Sequence, residues 1–231
     1  MAGILYAIPT PLGGPAAEAL PASALVTVRA LRSFVVENAR TARAFLKEIG
    51  MPCAIQELDI SVLESDVSKH IKKLQKDLSI GLLSEAGCPA IADPGAALVE
   101  AAQREGIRVV PLVGPSSIVL ALMASGLEGQ RFAFCGYLPR EPEARKRRIR
   151  ELEERSRRER ETQIFIETPY RNDALLTSLL EVASEKTWLC IATDLTLPAE
   201  KIQTQSVSRW RGAHHTIGKR PTVFLLLSVN R

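Results

Sequence analysis

The chain has 231 residues, 46% of them apolar and 24% charged, a balance that excludes a disordered chain and suits one large domain or two small ones around real cores. Its formal net charge of +4 does not by itself mark a nucleic-acid binder. Cys53, Cys88, Cys135 and Cys190 lie far apart without a CxxC pair, which argues against a zinc knuckle or a disulfide framework, and no leader or apolar run of membrane-spanning length occurs, so a cytoplasmic protein with reduced thiols and no membrane partner is expected.

Gly3 to Ile8 reads as a first strand, stopped by Pro9-Thr10-Pro11-Leu12-Gly13-Gly14-Pro15. Three prolines and two glycines in seven residues make a loop, either a plain turn or a ligand loop at a strand end. It is not a GxGxxG fingerprint, and no GxxxxGK[ST] occurs, so nicotinamide and P-loop readings lose their main support. Ala22 to Leu31 has a helical pattern, Ser33 to Glu37 that of a strand, and Asn38-Ala39-Arg40 opens a helix through Lys47. Glu37 and Arg40 thus flank another strand end, where they either pair across the turn or serve a site. Cys53 to Leu58 is expected as a strand and Asp66 to Lys76 as a charged amphipathic helix.

Ser79 to Gly95 is the most informative stretch. Ile80 to Leu83 suits a buried strand, and Ala86-Gly87-Cys88 lets a backbone pass close to a ligand because little side chain intervenes. Asp93-Pro94-Gly95 reads as a helix start, with Asp93 as N-cap, for a helix from Ala96 to Arg104. Ile107 to Val113 is expected as the next buried strand. Gly114-Pro115-Ser116-Ser117 is a third strand-to-helix turn, before an apolar helix from Ile118 to Ala124. Its two serines either cap that helix or hold a ligand's carboxylate or hydroxyl.

The βαβα order to this point predicts a parallel sheet. Arg131 to Gly136 is then a strand and Tyr137-Leu138-Pro139 a turn. Arg140 to Glu161 is a highly charged helix expected barely to touch a core, either solvated and laced with i,i+4 pairs or an RNA-facing arm through Arg145 to Arg148. Thr162 to Glu167 is a strand, and Thr168-Pro169 caps and starts a helix from Tyr170 to Val182. Trp188 to Thr193, Lys201 to Val207 and Thr222 to Val229 are strands spaced for antiparallel hairpins. His214-His215 are adjacent and point apart, so no metal site is expected. The fold class is α/β in two domains: an N-terminal parallel sheet with flanking helices over 1–114 and a C-terminal mixed sheet over 115–231.

Six landmarks occur in order: Leu5-Tyr6-x-x-Pro9-Thr10-Pro11-Leu12-Gly13, Glu37-Asn38-Ala39-Arg40-Thr41, Ser84 to Gly95, Gly114 to Ser117, Gly136-Tyr137-Leu138-Pro139 and Glu167-Thr168-Pro169-Tyr170-Arg171. Together they resemble the tetrapyrrole methylase superfamily of S-adenosylmethionine (SAM) methyltransferases, in the branch that holds the 16S ribosomal RNA cytidine 2′-O-methyltransferase. The resemblance implies two α/β domains with SAM in a cleft between them, and a homodimer. Carried over by motif, Leu12, Gly13, Ala86, Gly87, Cys88, Ile91, Ser116 and Ser117 border the cofactor, with Ala192 and Thr222 from the second domain. Arg40, Glu167 and Arg171 fall on the substrate side. The chain departs from the branch at Gly14 to Ala17, at Glu85 and Cys88, and at Thr193 to Leu197, where two basic residues are lost; Lys219-Arg220-Pro221 replaces a Lys-Gly-Glu.

Glu37, Glu85 and Asp93 are the strand-end carboxylates available as a base for a hydroxyl acceptor. Three functions remain open on this reading: methylation of RNA on the small ribosomal subunit, methylation of a tetrapyrrole or other small molecule, and a non-catalytic SAM- or RNA-binding relative.

Overall fold

The protein is described here by a computed structural model that covers residues 2–212 and 215–228. It falls into two compact units, Met1–Ser116 and Ser117–Arg231.

The first unit is a five-stranded sheet. In chain order its elements are β1 (Leu5–Ile8), α1 (Ala16–Ala19), α2 (Ala22–Ala30), β2 (Ser33–Val36), α3 (Ala39–Glu48), β3 (Asp59–Val62), α4 (Ser68–Gln75), β4 (Ile80–Leu83), α5 (Ala96–Arg104) and β5 (Val109–Pro111). The strand order β3-β2-β4-β1-β5 is parallel throughout. β2 and β4 are buried at every position, as strands covered on both faces must be. One face packs Ile8, Phe34 and Val36 against Leu25, Val28, Phe45 and Leu46 of α2 and α3. The other packs Leu5, Val35, Ile80 and Leu82 against Ile71, Leu74, Leu98 and Ala102 of α4 and α5. The connections after β1 and β4 leave in opposite directions along the sheet, which makes their carboxyl ends a topological switch point, where ligands of such sheets gather.

The second unit runs α6 (Ser117–Ser125), β6 (Phe132–Tyr137), α7 (Pro142–Glu159), β7 (Thr162–Ile166), α8 (Asn172–Val182), β8 (Trp188–Thr193), β9 (Lys201–Ser206), α9 (Val207–Arg211) and β10 (Thr222–Leu227). Its sheet, β6-β7-β10-β8-β9, is mixed, with β6 and β7 parallel and the other pairs antiparallel. The core gathers Phe165, Phe224 and Trp210 with Leu175 and Leu179 of α8 and Ile149 and Leu152 of α7.

Several expectations are corrected. Cys53 to Leu58 is not a strand but encloses a 3-10 turn, Ile55–Glu57, and the strand starts at Asp59. β5 is three residues long and half-exposed, with Val113 72% exposed, because it is the sheet edge. A 3-10 turn, Pro169–Arg171, precedes α8, and Thr168 makes no side-chain cap. The short α9 was not foreseen. Asp93 does not cap α5; Gly95 stands at that position with φ +120° and no side-chain cap bond, and a Cβ there would lie 2.9 Å from Leu82 Cδ2. The expected His214 and Val229 lie outside the described residues.

The charged helix α7 is also more firmly docked than its composition suggested. Arg145, Ile149, Leu152, Glu153 and Ser156 are all buried. Arg145 donates through Nε to Ser178 Oγ (2.9 Å) and through Nη1 to the Arg140 carbonyl (3.1 Å). Glu153 accepts from the Ser184 N–H at 2.8 Å and from the Thr187 hydroxyl. Lys146, Arg148, Arg155, Arg157 and Arg158 are held in ion pairs, those within the helix mostly at i,i+3 rather than i,i+4.

Candidate active site

Four loops leave the carboxyl ends of β1, β2, β4 and β5, and three of them are bonded into one edge. The loop after β1 and the loop after β4 form an isolated antiparallel bridge: Thr10 N–H donates to the Gly87 carbonyl (2.9 Å) and Gly87 N–H to the Thr10 carbonyl (3.0 Å). The Thr10 hydroxyl donates to the Ser84 carbonyl (3.3 Å), and Ser84 Oγ donates to the Gly87 carbonyl (3.2 Å). Cys88 Sγ donates to the Pro115 carbonyl at 3.4 Å, tying in the loop after β5. Gly114 approaches so closely that a Cβ would sit 2.4 Å from Pro9 Cβ.

Gly87 has φ +80°, and a Cβ there would lie 3.3 Å from Leu12 Cδ2. Ala90 and Ala92 also have positive φ, a conformation costly for residues with a Cβ. The backbone from Ala86 to Gly95 is thus folded tightly without large side chains. Ala86 is exposed and Ile91 is 53% exposed, while Leu12, Gly13 and Cys88 are partly open. This is a cradle of small residues at a switch point, where little side chain stands between the backbone and a ligand. Cys88 contributes no thiolate, since burial, then the Asp93 carboxylate, push its thiol up.

The loop after β2 adds the acids. Glu37 Oε2 accepts from the Glu85 N–H at 3.1 Å, and Glu85 Oε1 accepts from the Thr41 hydroxyl at 3.3 Å. The Asp93 pKa is pushed up to about 6: burial is the largest cause, the Glu37 carboxylate next, the nearby Ser84 hydroxyl opposes, and Glu85 adds to the rise. Two neighbouring acids and partial desolvation disfavour a third negative charge. Among the described residues Arg40 forms no ion pair with Glu37; its N–H donates to the capping Asn38 side chain (2.9 Å), and its guanidinium is exposed. The cross-turn ion pair is therefore replaced by the Glu37 to Glu85 backbone contact.

The remaining sequence candidates are placed as follows. Ser116 ends the first unit and Ser117 opens α6 of the second. Ala192 is fully enclosed within the second sheet and Thr222 is 6% exposed, its hydroxyl donating to the Arg220 carbonyl (2.9 Å) and accepting from Asn172 Nδ2 (3.2 Å). Glu167, 5% exposed, holds Arg171 Nη2 at 2.5 Å through Oε1, which also accepts from the Thr168 N–H at 2.6 Å. Thr10, Ser84 and Thr41 were missed as site residues. Their signal, a hydroxyl beside each ligand loop, becomes readable only when the strand order is known.

Solved structures share this fold. The methyltransferase CobJ superposes with a TM-score of 0.64 at 15% identity, covering 99% of this chain and 95% of that one. Uroporphyrin-III-C-methyltransferase from Thermus thermophilus gives 0.56 at 18% identity over 97% and 94%. The family model for tetrapyrrole (corrin/porphyrin) methylases matches residues 5–209. Proteins named ribosomal RNA small subunit methyltransferase I are similar along most of the chain. The one from Vibrio cholerae is 35% identical over 87% of this chain and 68% of its own length, and that from Escherichia coli O157:H7 is 33% identical over 87% and 68%. The chain belongs to the tetrapyrrole methylase family. It is a SAM-dependent methyltransferase.

Proposed function

We propose that this enzyme methylates RNA, at a ribose 2′-hydroxyl of the small ribosomal subunit, in the cytoplasm and as a homodimer. The observation that carries the reading is the gathering of Glu37, Glu85 and Asp93 at the strand ends beside the small-residue cradle. The name of relatives at 33–35% identity, ribosomal RNA small subunit methyltransferase I, supports the substrate.

Leu12, Gly13, Ala86, Gly87, Cys88, Ile91 and Ser116 would hold the cofactor, which supplies a methyl group on a cationic sulfur. Contacts from Ser117, Ala192 and Thr222 are carried by the resemblance alone. Displacement at a methyl carbon is mostly a matter of positioning, so the chain's own chemical step is a proton transfer. A ribose hydroxyl is a poor nucleophile at neutral pH, and a base with a pKa near 6 is ionised there while still able to accept a proton. Asp93 would take the proton that the acceptor hydroxyl gives up. Glu37 and Glu85 act through Asp93 by raising its basicity, and Arg40, Glu167 and Arg171 are assigned to the substrate side.

The test is transfer of labelled methyl from SAM to small subunits taken from a strain lacking the gene. Label in the RNA, absent with fully modified wild-type subunits, is expected. Label appearing instead in a metabolite extract freed of RNA would replace this substrate with a small molecule.

A further inference from the structure

The RNA reading left the source of phosphate contacts to α7, and the structure removes most of that helix from consideration. Arg145 is buried and five neighbours are neutralised by acids. A different helix carries uncompensated charge. On α3, Arg40, Arg43 and Lys47 are all exposed, and among the described residues none of the three side chains forms an ion pair or a side-chain hydrogen bond. At 3.6 residues per turn they fall within an arc of about 60° and span about 10 Å of the helix axis. The opposite face is buried through Ala42, Phe45 and Leu46, so this stripe is a fixed surface. Its one nearby acid on the helix, Glu48, is turned to the Ala16 N–H at 2.6 Å.

The stripe has two ends. At the first, Thr41 bonds Glu85, which places Arg40 at the acid cluster. At the other, Arg43 and Lys47 rim a groove of about 500 Å³ lined by Met51, Cys53, Ile55 and Gln56. Two cations at the rim suit a phosphate, and the half-exposed Met51 and Ile55 offer apolar surface to a base.

We infer that the exposed face of α3 is the track on which a single-stranded RNA segment lies, its phosphates on Arg40, Arg43 and Lys47, leading the acceptor ribose to Asp93. The inference rests on the RNA reading above. Charge complementarity selects the occupant: the stripe is cationic throughout, and the groove at its end, about 500 Å³, has the volume for a base.

The experiment compares wild type, Arg43→Glu/Lys47→Glu, the neutral pair Arg43→Gln/Lys47→Gln, and Arg147→Glu/Arg150→Glu on α7. RNA from unmodified small subunits is titrated at several salt concentrations, and SAM affinity is measured by calorimetry. The α3 reversal should weaken RNA binding roughly tenfold or more, and the neutral pair should lower the slope of log K against log salt by about 1.4, from two lost contacts at about 0.7 each. SAM affinity should be unchanged in both. Undiminished RNA affinity in the α3 variants, or an equal loss in the α7 variant, overturns the track while leaving RNA as substrate intact. A wild-type enzyme that binds no RNA overturns the substrate reading itself.

Discussion

Asp93 sits where the loop after β4 turns back toward α5, and its environment makes opposite demands on stability and chemistry. Its pKa rises from 3.8 in the unfolded chain to about 6 in the folded one, so the folded state holds the extra proton. The ionised side chain therefore costs stability, a cost that grows as pH climbs from about 3.8 to about 6 and is complete above that. Asp93→Asn should raise the melting temperature at pH 7.5 and do so less at pH 4.5, while lowering kcat by 10²-fold or more. A wild-type pH–rate profile for kcat should climb through about pH 6 and level off; a flat profile from pH 5 to 8 would remove the base. Gly87 makes the complementary point about space. With φ +80° and Leu12 Cδ2 3.3 Å from a Cβ position, Gly87→Ala should cost about 1–2 kcal/mol and raise the Kd for SAM, both readable in one thermal-shift titration.

At the scale of the element, α7 and α3 exchange the roles that composition assigned them. α7 looks like a nucleic-acid arm because its arginines are numerous, yet surface ion pairs cancel most of its free charge without contributing much stability. What anchors it is the buried side: Ile149, Leu152, and the polar pegs Arg145 and Glu153. Arg145→Ala should destabilise the second unit by about 2 kcal/mol, through lost bonds to the Arg140 carbonyl and to Ser178, whose buried hydroxyl oxygen is left without its donor. Urea denaturation followed by tryptophan fluorescence checks this. α3 has fewer basic residues, but they share one face, and their freedom from acids is a property of the folded chain.

For the whole molecule, the two units have separate cores. His70 on α4 is 1% exposed, and neither ring nitrogen has a hydrogen-bond partner. Burial, then Lys69 and Lys73, lower its pKa, against weaker opposition from Asp59 and Glu64. Between that lowered pKa and 6.5 the unfolded chain binds more protons at this site, so His70 takes stability from the first unit as pH falls through this window, against the opposite contribution of Asp93 below about 6. Both tryptophans, Trp188 and Trp210, lie in the second unit. On acidification, far-UV circular dichroism should begin to change at a higher pH than tryptophan fluorescence, a departure from one cooperative transition. His70→Leu should close the gap; coincident curves in the wild type would show that His70 does not set the acid limit.

Local chemistry was enough to determine the alternation of strands and helices, the loops at strand ends and the residues of the central cradle, because apolar runs, prolines and glycines act through neighbours in the chain. The motifs from Leu5 to Arg171 were sufficient for the family. The tertiary structure alone decided which of those residues meet. Thr10 and Gly87 are bonded although 77 positions apart because β1 and β4 are neighbours in the sheet, and Glu37 meets the Glu85 N–H because β2 lies on the other side of β4. Asp93 looked like a cap and became an acid under repulsion; Arg145 looked like a free cation and became a buried peg. Charge, burial and pairing depend on what stands opposite in space, and strand order, which no local pattern encodes, sets what stands opposite.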